Sequence, residues 1–176
     1  MFCFQIAYAV IDFMKRVVII ITWIFTLAIS YAQTYTPLQA DSVFKANNWK
    51  ETIQAYTWLI DNGKAPRPGI AWYRIAMANY SLHDFTKAIP AFKRSIGFSN
   101  NPSAMYNLAC AFNRAGLKDS CYTWLQTVFD KGYTAYDDIL KDDDLASLRN
   151  EERYKTFLQK LKPLFIPAPF HQNTAS

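Results

Sequence analysis

Glycine, histidine, cysteine and charge are all scarce in this chain. Its 176 residues hold five Gly, two His and three Cys, and only 19% are charged. The glycines, Gly63, Gly69, Gly97, Gly116 and Gly132, stand singly, so no Gly-rich loop is present to cradle a phosphate. Collagen-like and Gly-rich low-complexity chains are excluded on the same ground. His83 and His171 lie near no strained nucleophile turn of the Gly-x-Ser-x-Gly kind, and no catalytic constellation is legible. The net charge of +5 has no Lys/Arg block behind it, so nucleic acid is not an expected partner. The chain reads as a non-enzyme that calls for no cofactor and no metal.

Apolar side chains are abundant: 51% of residues are hydrophobic and 16% aromatic. Disordered and fibrous chains are poor in both. The length suits one domain. Part of the apolar content is concentrated in residues 1–32, which carry only Asp12, Lys15 and Arg16 as charges. Read from Met14, this segment has the order of a signal peptide. Lys15 and Arg16 come first, an apolar run from Val17 to Ile29 follows, and Ser30-Tyr31-Ala32 offers small residues for cleavage after Ala32. Translation is therefore expected to start at Met14. A retained anchor is the competing reading, but a spanning helix needs about 20 apolar residues. Cleavage would leave 144 residues with a balance of +4 and no stable membrane span, and would make the protein exported, periplasmic or secreted.

The rest of the chain repeats itself. Ala71-Trp72-Tyr73-Arg74-Ile75-Ala76-Met77-Ala78-Asn79-Tyr80 aligns with Ala104-Met105-Tyr106-Asn107-Leu108-Ala109-Cys110-Ala111-Phe112-Asn113 at an offset of 33. Phe85, Ala88 and Phe92 meet Lys118, Cys121 and Leu125 at the same offset, and Trp49, Thr52, Ile53 and Tyr56 form an upstream copy. The apolar spacing is near 3.6, so each copy reads as two amphipathic helices. Small residues at Ala76, Ala88, Ala109 and Cys121 allow close backbone approach. Asn47-Asn48, His83-Asp84 and Gly116-Leu117 supply the turns within copies, and residues 63–69 read as a loop. Pro102 suits a helix start.

These residues, with Trp72, Leu82, Phe112 and Gly116, resemble the tetratricopeptide repeat family over about residues 35–131, with repeats near 35–63, 69–98 and 102–131. The segment Asp137 to Tyr154 resembles the cap that ends many bacterial arrays of this family. The resemblance implies an all-α fold: a right-handed solenoid of about three antiparallel helix pairs and a capping helix. The expected division is a leader at 1–32, a helical domain at 33–162 with its cap at 133–162, and an extended tail at 163–176. Leu140, Leu145, Leu148, Tyr154, Phe157, Leu158 and Leu161 would cover the last open face, and Asn150 would cap the final helix with Glu151 and Glu152 at its positive end. Departures are the poor first helix around Pro37 to Ala46, Lys118 where an aromatic is usual, and Asn79 with its aromatic one position later.

The resemblance also implies a concave groove, lined by the first helix of each pair, that binds a peptide or partner protein. Tyr73, Met77, Tyr80, Tyr106, Asn107, Asn113 and Arg114 are the candidate groove residues, with Cys110 beside them and Phe44 and Lys45 in the first copy. Tyr and Arg suit such a surface because they offer large area with polar tips; the competing reading packs the aromatics into the core. Arg74, Asn107 and Arg114 suggest a carboxylate clamp, but the full set is not filled. An accessory domain of an envelope enzyme, or a structural component of an envelope complex, is the alternative role. Asp142-Asp143-Asp144 lacks the alternating ligands and sharp-turn Gly of a calcium loop and reads as helix capping. Cys110 and Cys121 flank Gly116 almost symmetrically, which leaves both a disulfide and two buried thiols open.

Overall fold

The computed structural model describes residues 12–21, 34–132 and 136–165. Among the described residues the fold is all-α, with no strand. It divides into two units, residues 1–34 and residues 35–176. In the first, residues 12–21 are helical and Asp12 pairs with Arg16 one turn on, at 3.3 Å. No helix among the described residues is long and apolar enough to cross a membrane. The expected cleavage site at residues 30–32 and the tail from 166, with His171, lie outside the described residues.

The second unit holds α1 (Pro37–Lys45), α2 (Trp49–Asp61), α3 (Pro68–Ser81), α4 (Phe85–Phe98), α5 (Pro102–Arg114), α6 (Lys118–Asp130), α7 (Tyr136–Lys141), a 3-10 turn (Asp143–Leu148) and α8 (Glu152–Phe165). From α1 to α6 each helix packs on the next in sequence. The pairing within α3–α4 is antiparallel: Ser95 Oγ, near the end of α4, donates to the Gly69 carbonyl at the start of α3 (2.8 Å), while the Tyr80 and Phe85 rings meet at the other end, 5.4 Å apart. Ala76, Ala88, Ala109 and Cys121 are all fully buried, as small residues at close helix contacts should be.

Three turns share one construction. Asn47, His83 and Gly116 follow the C-caps of α1, α3 and α5 with φ of 57°, 59° and 78°. In each, this residue's N–H reaches the carbonyl three back (Phe44, Tyr80, Asn113), and the next N–H reaches five back (Val43, Asn79, Phe112). These are Schellman ends, which satisfy the last carbonyls and reverse the chain. A side chain at Gly116 would hold a left-handed backbone at a cost of about 1–2 kcal/mol. Gly116→Ala is therefore expected to lower stability by that amount in urea unfolding, whereas an Ala at Gly97, which has ordinary φ and open space, should not.

Several expectations need correction. The loop after α2 ends at Arg67: Pro68 and Gly69 already belong to α3, with Pro at its first turn. A Cβ on Gly69 would sit 2.9 Å from the Phe98 Cβ, so this glycine permits a close approach between α3 and α4. The first helix is well formed because Thr36 and Gln39 make a capping box, with Gln39 N–H donating to Thr36 Oγ1 (3.2 Å) and Thr36 N–H to Gln39 Oε1 (2.8 Å). Helix α8 starts at Glu152, with Glu151 rather than Asn150 just before it, and it runs through Pro163 to Phe165 instead of ending at 162. In the cap, Ile139 is fully buried and Leu140 is exposed, so Ile139 takes the covering role expected of Leu140. Leu145, Leu148, Tyr154, Phe157 and Leu161 are buried as expected. Cys110 and Cys121 are free buried thiols, and burial pushes the Cys121 pKa up to about 12.

Candidate functional site

Helices α3 and α5 both present one face carrying most of the candidate residues. Their register is set by Asn107. Its Nδ2 donates to Tyr73 Oη at 2.9 Å and lies 3.4 Å from Met77 Sδ. One amide on α5 thus spans two turns of α3, and all three side chains remain partly exposed. The Tyr73 ring stands edge-on to Phe92 at 6.0 Å, fixing its orientation from below. Burial raises the Tyr73 pKa, with the Asn107 hydrogen bond opposing, so the hydroxyl stays protonated at neutral pH.

Arg74 extends the same face toward α1. Its guanidinium lies 4.1 Å over the Phe44 ring and 3.4 Å from Asp41 Oδ1, and Asp41 also accepts from the Tyr56 hydroxyl. Phe44 is partly buried and Lys45 exposed. A paired and stacked Arg74 differs from the free cation that a carboxylate clamp requires.

The far end of α5 is occupied by the chain itself. The Tyr106 hydroxyl donates to Asp142 Oδ2 at 2.6 Å. Asn113 Nδ2 donates to the Asp144 carbonyl at 2.6 Å and to Ser147 Oγ at 2.9 Å. Arg114, exposed, lies 3.8 Å from Asp144 Oδ1. Tyr106 and Asn113 are buried beneath the 3-10 turn, and so is Cys110, whose thiol is 3.9 Å from Asp142 Oδ2. Burial first, then neighbouring Cys110 and Asp142, raise the Tyr106 pKa; burial, then Asp142 and Asp144, raise that of Cys110. Tyr80 packs its ring on Phe85 and Phe92. Its buried hydroxyl makes no hydrogen bond of normal geometry, although Asp144 is its nearest carboxylate influence and adds to the upward shift that burial causes.

The seven candidates therefore fall into two sets. Tyr73, Met77 and Asn107 form a connected, accessible surface. Tyr106, Tyr80 and Asn113 are tied into packing with the cap, and exposed Arg114 sits at its edge. The role of the Asp142–Asp144 run is also defined: Asp142 caps the 3-10 turn by accepting from Asp144 N–H (2.8 Å). Asp142, Asp144 and Cys110 bring their ligand atoms within 4.8 Å of one another. Tyr106 and the capped N–H already occupy both Asp142 oxygens.

This division predicts unequal results from removing two hydroxyls. Tyr106→Phe should cost about 1.5–3 kcal/mol, the range for a hydrogen bond to a charged partner. Tyr80→Phe loses no bond and should be neutral or slightly stabilising. Thermal unfolding of the two variants side by side checks the contrast. Compared with known proteins, the chain matches no family model, and no curated protein matches it significantly.

Proposed function

We propose that this chain is an exported, non-catalytic protein–protein interaction module of the tetratricopeptide type. In this reading α1–α2, α3–α4 and α5–α6 are three units of a right-handed solenoid, α8 is its cap, and a peptide or partner protein lies across the concave face of α1, α3 and α5. The observation that carries the reading is the Asn107 bridge to Tyr73 and Met77, because it aligns the first helices of two consecutive units and leaves large, amphipathic side chains toward solvent. The repeated turn at Asn47, His83 and Gly116, spaced 36 and 33 residues apart, supports a repeat architecture. The signal-like order of residues 14–32 supports export.

Affinity purification from the envelope fraction, with partners identified by mass spectrometry, tests the reading. A partner retained by the wild-type chain should be lost from the Tyr73→Ala/Asn107→Ala variant, with its helical circular dichroism unchanged. Truncating a central aromatic anchor typically costs about 2 kcal/mol of binding, a roughly thirtyfold weakening. Retention of no partner, together with turnover of a small substrate, would overturn the proposal.

A further inference from the structure

The junction between α6 and α8 differs from the earlier helix junctions. Helix α2 packs on α3, and α4 on α5, over an extended stretch of backbone. Helices α6 and α8 meet chiefly through side chains. The Phe157 ring stands 5.4 Å from Phe129 and 6.5 Å from Tyr122, and the Arg153 guanidinium lies 4.1 Å over Tyr122. One end is pinned by Lys118 to Glu151 (2.5 Å), by the Tyr122 hydroxyl donating to Glu151 (3.0 Å) and by Arg153 to Asp119. The two helices are thus held apart by aromatic rings, and a cleft of about 570 Å³ opens between them.

The walls of the cleft have a definite chemistry. Thr123, Gln126 and Thr127 come from α6; Arg153, Thr156 and Lys160 come from α8; Tyr122 and Phe157 form the floor. No carboxylate lines it. Arg153 has Asp119 at the pinned end, whereas Lys160 takes part in no ion pair among the described residues. The Thr123 and Thr127 hydroxyls donate to the Asp119 and Thr123 carbonyls of their own helix (2.9 and 2.8 Å), so they offer lone pairs outward. The cleft therefore supplies cations on one wall and acceptors on the other.

We propose that this cleft binds an acidic peptide segment of a partner protein in extended conformation. Arg153 and Lys160 are seven residues apart, about 10 Å along a helix at 1.5 Å per residue. Two carboxylates three residues apart on an extended chain are spaced by about the same distance, at 3.3 Å per residue. The peptide's carboxylates meet Arg153 and Lys160, its N–H groups meet Thr123 and Thr127, and a small apolar residue rests on Phe157. A free inorganic anion would satisfy Lys160 but would leave the Thr wall and most of the volume unused. A nucleic acid would find only two cations, too few for a phosphate backbone. The cleft is separate from the α3–α5 face, so the two proposals fail independently.

Selection of random 12-residue displayed peptides on the immobilised full chain tests this. Enriched peptides should carry two acidic residues three apart. Their binding, measured by fluorescence polarisation, should weaken at least about tenfold in Arg153→Glu/Lys160→Glu, and should weaken further between 50 and 200 mM salt. Because Arg153 also braces the cap, Lys160→Glu alone is the second variant. It breaks no described contact and should weaken binding about threefold or more. The proposal is overturned by enrichment of non-acidic peptides, by affinity unchanged in both variants, or by full displacement with millimolar inorganic phosphate. It is equally overturned if the selected peptides lose binding to Tyr73→Ala but not to Lys160→Glu.

Discussion

Phe92→Ala is expected to remove about 3–5 kcal/mol of folding stability. Phe92 is fully buried in α4, with Tyr73 and Tyr80 of α3 standing edge-on to its ring at 6.0 and 6.4 Å. Helix α4 also packs along α5, so the ring lies where three helices meet. Its removal forfeits the transfer free energy of the ring and leaves a cavity that two flanking tyrosines cannot easily fill, since their own rings are fixed by neighbours. A domain of this size has only about 5–15 kcal/mol in hand. Urea unfolding followed by circular dichroism should therefore show the midpoint falling by 1 M or more, given a slope of about 1–3 kcal/mol per M. A loss under 1 kcal/mol would mean that α3, α4 and α5 are not packed around this ring. Tyr73 rests on Phe92, so the variant should also weaken whatever binds the α3–α5 face.

The second large effect is expected at Asn113. This side chain is 6% exposed, and its amide serves two groups of the cap at once, the Asp144 carbonyl and Ser147 Oγ. Asn113→Ala strands both beneath the 3-10 turn, and a buried unsatisfied group costs about 1–3 kcal/mol. With two such groups the expected loss is about 2–4 kcal/mol. Asn113→Asp should cost more, because it replaces two donors with a buried charge facing a carbonyl. The loss should be local at first: amide exchange of residues 143–161 should accelerate before that of α3 and α4, as expected for a terminal segment held by few contacts. A double-mutant cycle with Ser147→Ala should give a coupling energy of at least about 0.5 kcal/mol. Additive losses would show that the cap is held by its apolar residues alone.

The all-α class and the helix positions from α2 to α6 were legible in the sequence because both rest on local signals. The 3.6 spacing, the small residues at Ala76, Ala88, Ala109 and Cys121, and the paired polar turns all act within a few residues. The capping box at Thr36 and Gln39 was equally local but sits in a segment with little apolar periodicity, so its helix read as poor. The site was less legible. Tyr106 and Asn113 occupy the same helical face as Tyr73 and Met77, and spacing alone makes them equivalent. What separates them is the return of the chain 31 to 36 residues later. That return is made by polar side chains, Asp142, Asp144 and Ser147, which carry no periodicity. Ile139 and Leu140 illustrate the same difficulty at one residue's resolution: both are apolar, and only the direction of the short α7 decides which is covered.

Gly69 has a consequence for the shape of the molecule. The start of α3 touches the end of α4 with no room for one methyl group, while the opposite end of the pair is set by the bulk of Tyr80 against Phe85. The two helices therefore form a wedge, narrow at Gly69 and wide at Phe85. The size of the residue at position 69 acts as a dial on that wedge angle. A larger side chain there would rotate everything after α3 relative to everything before it, changing how far apart Tyr73 and Phe44 are held without touching either.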